Sequence, residues 1–354
     1  MRDVRTVGEN IAYHRKRLEL SQVEFAGLVG RSESWVSQVE RGVRDIDRLS
    51  VLQLVADALN VSVGELRGDE DADARPGPNS AQAFEALRLT LTGHPIASAI
   101  IAPSSVTASA VRSLDSLRDE HAAIWPMVHA SRYSELAPVL ARLIRDLELA
   151  VHSSVLANDE AVAVKALLAD TYQATSAALA KLGDSDAAWV AADRAAFVAE
   201  AIDSPLAVAA SLFRMAHVFL SLGQIAQTQK VAEDAAKALE TRISAGSSDS
   251  ESISLYGAFQ LVLAVAAARD NQRSDANRFL AEARKAAERI GNDRNDFGTE
   301  FGPTNVSLHA VSVAVELGDA GLALELSKDI QAEDLSPERR ARYLIDLAAA
   351  YSMR

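Results

Sequence analysis

"LSQVEFAGLVGRSESWVSQVERG", residues 20–42, carries the punctuation of two short helices. Ser21 with Glu24 forms a capping box: the serine oxygen takes the amide three residues on, and the glutamate reaches back to the serine amide. The apolar residues that follow run to Gly30, a residue suited to the left-handed turn after a helix. Ser32 offers the next N-cap oxygen, and the helix it opens runs to Arg41 and stops at Gly42. Its Val36 and Val39 share one apolar side. Glu33, Ser34, Ser37 and Gln38 are polar, which suits either a solvated surface or a helix held out to touch a partner.

Amphipathic stretches flank this pair. "VGENIAYHRKRLEL" (7–20) reads as a helix with Ile11 and Leu18 inward, "IDRLSVLQLVADAL" (46–59) as another, and "NVSVGEL" (60–66) as a short last one. Two short helices joined by a tight glycine-containing turn are the helix-turn-helix signature. Across all five helices the segment resembles the Cro/phage-repressor type, also called the xenobiotic-response-element (XRE) family. That resemblance implies a lambda-repressor-like DNA-binding domain over residues 1–67. Its core would be Val23, Phe25, Ala26, Leu28, Val36 and Val39, closed by Leu52, Leu54, Val55 and Leu59. It also implies roles by position. Gln22 would contact phosphate through its side chain and the helix N-terminus. Glu33, Ser34, Ser37 and Gln38 would face the major groove, where Gln38 can bond an adenine edge bidentately and Glu33 can accept from a cytosine amino group. Arg41 and Arg44 would clamp the backbone. Arg15 and Glu40 fit a buried ion pair between the first and third helices. Ser32 is an N-cap whether or not DNA is bound, and it stands at the same edge of the interface. Trp35 either contacts DNA or packs on the head itself, and Glu33 either reads cytosine or caps the helix.

Charge is compatible with that reading once it is divided. The chain of 354 residues has a formal net charge of −13. Residues 1–67 hold ten Lys/Arg and ten Asp/Glu, so the whole −13 lies in residues 68–354. The absence of cysteine excludes disulfides, thiolate metal sites and cysteine nucleophiles. Apolar stretches such as "AFQLVLAVAAA" read as too short to span a bilayer, no apolar signal core opens the chain, and a soluble, cytoplasmic protein with no membrane partner is expected. No metalloprotease, phosphate-loop, nucleophile-elbow or dinucleotide motif occurs, so no enzyme and no cofactor are expected. His121 and His129, eight apart, would share a helical face, but lack an acidic ligand at good spacing for a metal.

"GDEDADARPGPNS", residues 68–80, is acidic, rich in glycine and proline, and reads as a linker. Residues 81–354 then show helical periodicity almost throughout, and the fold class is all-α. They also repeat. "GDSDAA" (183–188), "GQIAQT" (223–228), "NQRSDA" (271–276) and "GDAGLA" (318–323) each follow an apolar helix, turn at Gly or Asn, and open another helix with a small residue five places on; "SRYSEL" (131–136) is a weaker copy. The intervals are 52, 40, 48 and 47 residues, room for a helical hairpin plus a loop. The pattern resembles tetratricopeptide (TPR) repeats, whose usual period is about 34 residues. It implies a solenoid of helical hairpins with a groove lined by the first helix of each pair.

Groove positions about six, ten and thirteen residues before each turn select His121, Trp125, Gln173, Phe213, His217 and Asn305. Aromatic and amide-bearing positions suit an extended peptide. The connection "GNDRNDFGTEFGPTN" (291–305) has no regular pattern and is a candidate for touching a ligand or partner. The joined architecture resembles the bacterial peptide-pheromone-responsive, quorum-sensing regulators. It implies a homodimer on double-stranded operator DNA with an inverted repeat, and a body that dimerises and senses a peptide or protein. The rivals are an interaction adaptor with a vestigial head, and a constitutive repressor whose body only dimerises.

Overall fold

The structure, a computed structural model, describes residues 6–18, 20–43, 46, 52, 55–56, 58–59, 61, 66, 78–94, 96–97, 101, 111–153, 157–246 and 249–353. All regular structure among the described residues is helical. The chain divides into two compact units, Met1–Gln82 and Ala83–Arg354.

In the head, α1 (Val7–Arg17), α2 (Gln22–Leu28) and α3 (Glu33–Glu40) carry the start signals the sequence shows. Thr6 with Glu9 and Ser21 with Glu24 form complete capping boxes, and Ser32 Oγ accepts from the amide of Trp35 at 3.2 Å. Gly30 and Gly42 close α2 and α3 with φ of 61° and 67°. Phe25, Ala26, Val36, Val39, Leu52, Val55 and Leu59 are buried around Ile11, together with Val29, Ala56 and Leu66. Three expected core residues are not. Val23 and Leu28 are 59% and 58% exposed, because the short α2 turns Phe25, Ala26 and Val29 inward and these two lie on its other side. Leu18 is 46% exposed; α1 ends at Arg17 and leaves it at the C-cap. Leu54 and Arg44 lie outside the described residues. Gly8 stands where α1 crosses α3: a Cβ there would sit 2.1 Å from the carbonyl oxygen of Val39.

The second unit follows with α4 (Pro78–Thr92), α5 (Leu114–His121), α6 (Ile124–His129), α7 (Tyr133–Val151), α8 (Asn158–Lys181), α9 (Ser185–Glu200), α10 (Pro205–Ser221), α11 (Ile225–Ser244), α12 (Ser250–Arg269), α13 (Arg273–Ile290), α14 (Pro303–Glu316), α15 (Ala320–Leu326) and α16 (Pro337–Ser352). Helix α4 starts inside the stretch read as linker. Five hairpins, α6/α7, α8/α9, α10/α11, α12/α13 and α14/α15, turn at the five sequence repeats. Each turn opens on a left-handed residue: Ser131, Gly183, Gly223, Asn271 and Gly318, with φ of 55°, 84°, 69°, 57° and 76°. The next residue donates its amide to the carbonyl five back at 2.8–3.0 Å in all five, as in Asp184 to Leu179 and Asp319 to Ala314. This is one Schellman-type stop used five times. The residue five places after each left-handed position (Leu136, Ala188, Thr228, Ala276 and Ala323) is fully buried, so the second helix of each pair enters the core at a fixed register.

Small residues set the spacing. Helix α9 buries Ala187, Ala188, Ala191, Ala192, Ala195 and Ala199, which lets it lie close against α8 and α10. Helix α12 is buried from Ser252 to Ala268 except at Tyr256. It is long and apolar enough to cross a membrane, against the expectation that no stretch is; its sides are covered by α10, α11, α13 and α14.

Candidate nucleic-acid interface and ligand cavity

Helix α3 is held from behind. Arg15 Nε and Nη2 donate to the two carboxylate oxygens of Glu40 at 2.5 and 3.0 Å, and Nη1 donates to the carbonyl of Leu20 at 2.5 Å. Both side chains are at most a tenth exposed. Burial alone would raise Glu40, but its bonds from Arg15 and Gln22 outweigh that and hold it below the ordinary carboxylate range. The Gln22 bond is 2.7 Å, so this amide ties the start of α2 to the end of α3 and is engaged inside the head. With Val36 and Val39 buried, Glu33 and Ser34 are exposed and Ser37 and Gln38 partly so. Gln38 Nε2 lies 3.5 Å from Ser34 Oγ on the outer face. Arg41 is exposed, its Nε donating to the carbonyl of Ser37 at 3.0 Å. Trp35 is half-buried against the head core, with the guanidinium of Arg31 5.7 Å from its ring centroid.

The second unit holds a partly open cavity of about 360 Å³, lined mainly by the first helices of the pairs (α6, α8, α10, α12 and α14), by residues 298–300 and by α16. Trp125, Phe213, His217 and Asn305 line it; His121 and Gln173 do not. His121 ends α5, one helix too early for the counting rule, and its Nε2 lies 2.8 Å from Asp170 Oδ2. Gln173 is buried between α8 and α10, donating to the carbonyl of Ala207 at 3.3 Å. His129 ends α6, so the two histidines do not share a helix, and its Nδ1 lies 3.3 Å from Glu300 Oε2.

The irregular connection reaches this cavity. Asp296–Gly298 form a 3-10 turn in which Phe297 has φ of 51° and Gly298 of 64°. A Cβ on Gly298 would lie 2.5 Å from the ring of Trp125, so the turn closes directly onto that indole. Trp125 donates through Nε1 to Asp170 Oδ2 at 2.9 Å and stacks on His129 with centroids 5.8 Å apart. Arg339 of α16 bonds Glu300 at 2.8 Å. Burial pushes Glu300 up, yet the His129 bond and Arg339 leave it below the usual carboxylate range.

Arg214 of α10 was not singled out by the sequence. It is only 8% exposed, with its guanidinium 4.7 Å from the Trp125 centroid and 5.1 Å from that of Phe213. Nη2 donates to the carbonyl of Phe297 at 2.5 Å, while buried Nε has no hydrogen-bond partner among the described residues. Burial pulls its pKa down to about 10, which leaves it charged at neutral pH. Ser176 of α8, also lining the cavity and 1% exposed, likewise has no partner for Oγ among the described residues. Two of the three histidines lining the cavity, His217 and His309, are held neutral. Burial and then Arg214 push His217 well below its ordinary value, and burial brings His309 to about 4 despite its Nδ1 contact with the carbonyl of Asn305 at 2.9 Å. One signal for Arg214 was present in the sequence: a single cation inside the apolar run "LAVAASLFRMAHVFLSLG".

Residues 7–68 match the family model of a helix-turn-helix domain. No curated protein matches the chain. Among solved structures, Bacillus thuringiensis PlcR in complex with the peptide PapR7 and DNA is similar at 12% identity, covering 81% of this chain and 95% of that one, with a TM-score of 0.30. At that score the likeness is too slight to carry fold or function across.

Proposed function

We propose that this protein is a dimeric, sequence-specific transcription regulator of the cytoplasm. Its head reads operator DNA, and its hairpin array dimerises and senses a peptide or protein. The observation that carries the first half is α3: a polar outer face of Glu33, Ser34, Ser37 and Gln38 on a helix fixed by the Arg15–Glu40–Gln22 cluster, within a segment matching a helix-turn-helix domain. In the major groove Gln38 offers a donor and an acceptor to one base edge, while Arg41 and Arg44 neutralise phosphate. Trp35 is tied into the head core and supports the recognition helix. Ser32 caps that helix. Gln22 has a second amide N–H left for a phosphate.

One recognition helix covers few base pairs, and a net-neutral head gains little from phosphate alone, so two heads on an inverted repeat are needed for tight binding. Exposed Leu344, Ile345 and Tyr351 on α16, with Met353 at its C-cap, offer apolar area for that pairing. The sensing half rests on the cavity, to which Trp125, Phe213, His217 and Asn305 all contribute. A ligand seated there shifts operator affinity only by its preference for one body arrangement over another.

Selection from random oligonucleotides with the full chain at two salt concentrations tests this reading. The expected product is an inverted repeat whose half-sites lie about one helical turn apart, bound more weakly as salt rises. A folded, dimeric protein that enriches nothing, with or without cell extract, would favour the adaptor instead.

A further inference from the structure

The cavity has a charge pattern that its neighbours do not satisfy. Four cations at its wall have carboxylates: Lys181 pairs with Glu338, Arg269 with Glu316 at 2.9 Å, Arg339 with Glu300 at 2.8 Å, and Arg342 with Asp346 at 3.8 Å. Arg214 has none within ion-pair distance among the described residues; Asp170 and Glu300 act on it only from beyond that distance. It is the most enclosed of the five, close to the rings of Trp125 and Phe213, with Nε unpartnered. A buried guanidinium without a carboxylate is costly, and its planar donor edge matches a carboxylate in shape. The unpartnered hydroxyl of Ser176, from the adjoining helix, gives the same space a second donor. The same cavity has an aliphatic stretch of wall, Val128, Leu220, Leu261, Val262 and Val265, beside polar residues such as His217, Asn305 and Ser312. A volume of about 360 Å³ lies at the small end of the ligand-pocket range, enough for a compact molecule and too little for a long peptide lying along the groove.

Building on the ligand-sensing reading above, we infer that the cavity binds a carboxylate on a short apolar stem, with the carboxylate on Arg214 and Ser176 and the stem against the aliphatic wall. A free small acid and the last residue of a short peptide share this chemistry.

Isothermal titration of the full chain tests it with four probes: N-acetyl-leucine, its neutral amide N-acetyl-leucinamide, and acetyl-trileucine with a free or an amidated end. The expected result is that the free acids bind about tenfold or more tighter than their amides. The difference should vanish in Arg214→Gln and shrink in Ser176→Ala. Tighter binding of acetyl-trileucine assigns the carboxylate to a peptide end, and tighter binding of N-acetyl-leucine to a free acid; each supports the site. Equal binding of acids and amides, or no binding of any acid at millimolar concentration, overturns it. If Arg214→Gln does not fold, Ser176→Ala decides, since loss of one buried hydroxyl leaves the helices packed. Operator affinity measured alongside separates the two readings. Acids that bind without changing it keep the site and remove the sensing role. Extract that changes it while no acid binds does the reverse.

Discussion

Arg15 and Glu40 hold α1 and α3 together through two parallel hydrogen bonds in a nearly dry setting. Removing one partner leaves a buried charge uncompensated, so Arg15→Ala should cost the head about 3–5 kcal/mol, whereas Arg15→Met with Glu40→Leu should recover most of it. Hydrogen exchange of the head amides measures both. At this scale the sequence is informative where a resemblance supplies the partner, as for this pair. Arg214 was hidden because its neighbours Trp125 and Phe297 are more than eighty residues away on either side, and no local pattern encodes such a meeting. The buried histidines make a prediction of their own. Burial holds His309 at about 4 in the fold, against an ordinary value near 6.5; the Asn305 carbonyl opposes it, Arg339 and Arg342 lower it further, and Glu338 raises it. A depressed folded value means that stability is complete above the unfolded value and is lost as pH falls from about 6.5 towards 4, as the unfolded chain takes up the proton first. His217 acts in the same direction. The unfolding temperature of the body should therefore fall from pH 7 to pH 5, and His309→Asn should flatten part of that slope.

Among the elements, the five hairpin turns were the most legible, because a left-handed residue followed by a new helix needs Gly or Asn in most copies and a small residue at a fixed distance. The groove counting was less successful. It assumed one unbroken helix before each turn, and the break between α5 and α6 put His121 on the wrong one. The connection 291–305 shows no period because its conformation is set by its partners: Arg214 takes a carbonyl at Phe297, Arg339 one at Glu300, and Trp125 packs on Gly298. Gly298 joins a positive φ to a ring 2.5 Å from where a Cβ would stand. Gly298→Ala should shift the turn off Trp125 and destabilise the body by about 1–3 kcal/mol, read as a lower unfolding temperature and a change in Trp125 emission. Unchanged stability would show that the turn yields freely.

Across the whole molecule the two units divide the chemistry. The head is neutral and polar on one helix face, and at the cavity wall of the acidic body the cations are paired with carboxylates except at Arg214, among the described residues. Net charge hid this, since −13 for the chain describes the body alone. The helix-turn-helix assignment was readable because caps, glycines and apolar spacing agree over five helices; the cavity was readable only as a list of positions, and its electrostatics came from packing. The role proposed for α3 is to read bases through Gln38. The most direct measurement is the affinity of the full chain and of Gln38→Ala for every single-base variant of the selected operator at one salt concentration. Gln38→Ala should lose about 1–3 kcal/mol of preference at one position in each half-site and leave the others unchanged. An identical preference profile for the two proteins would contradict it.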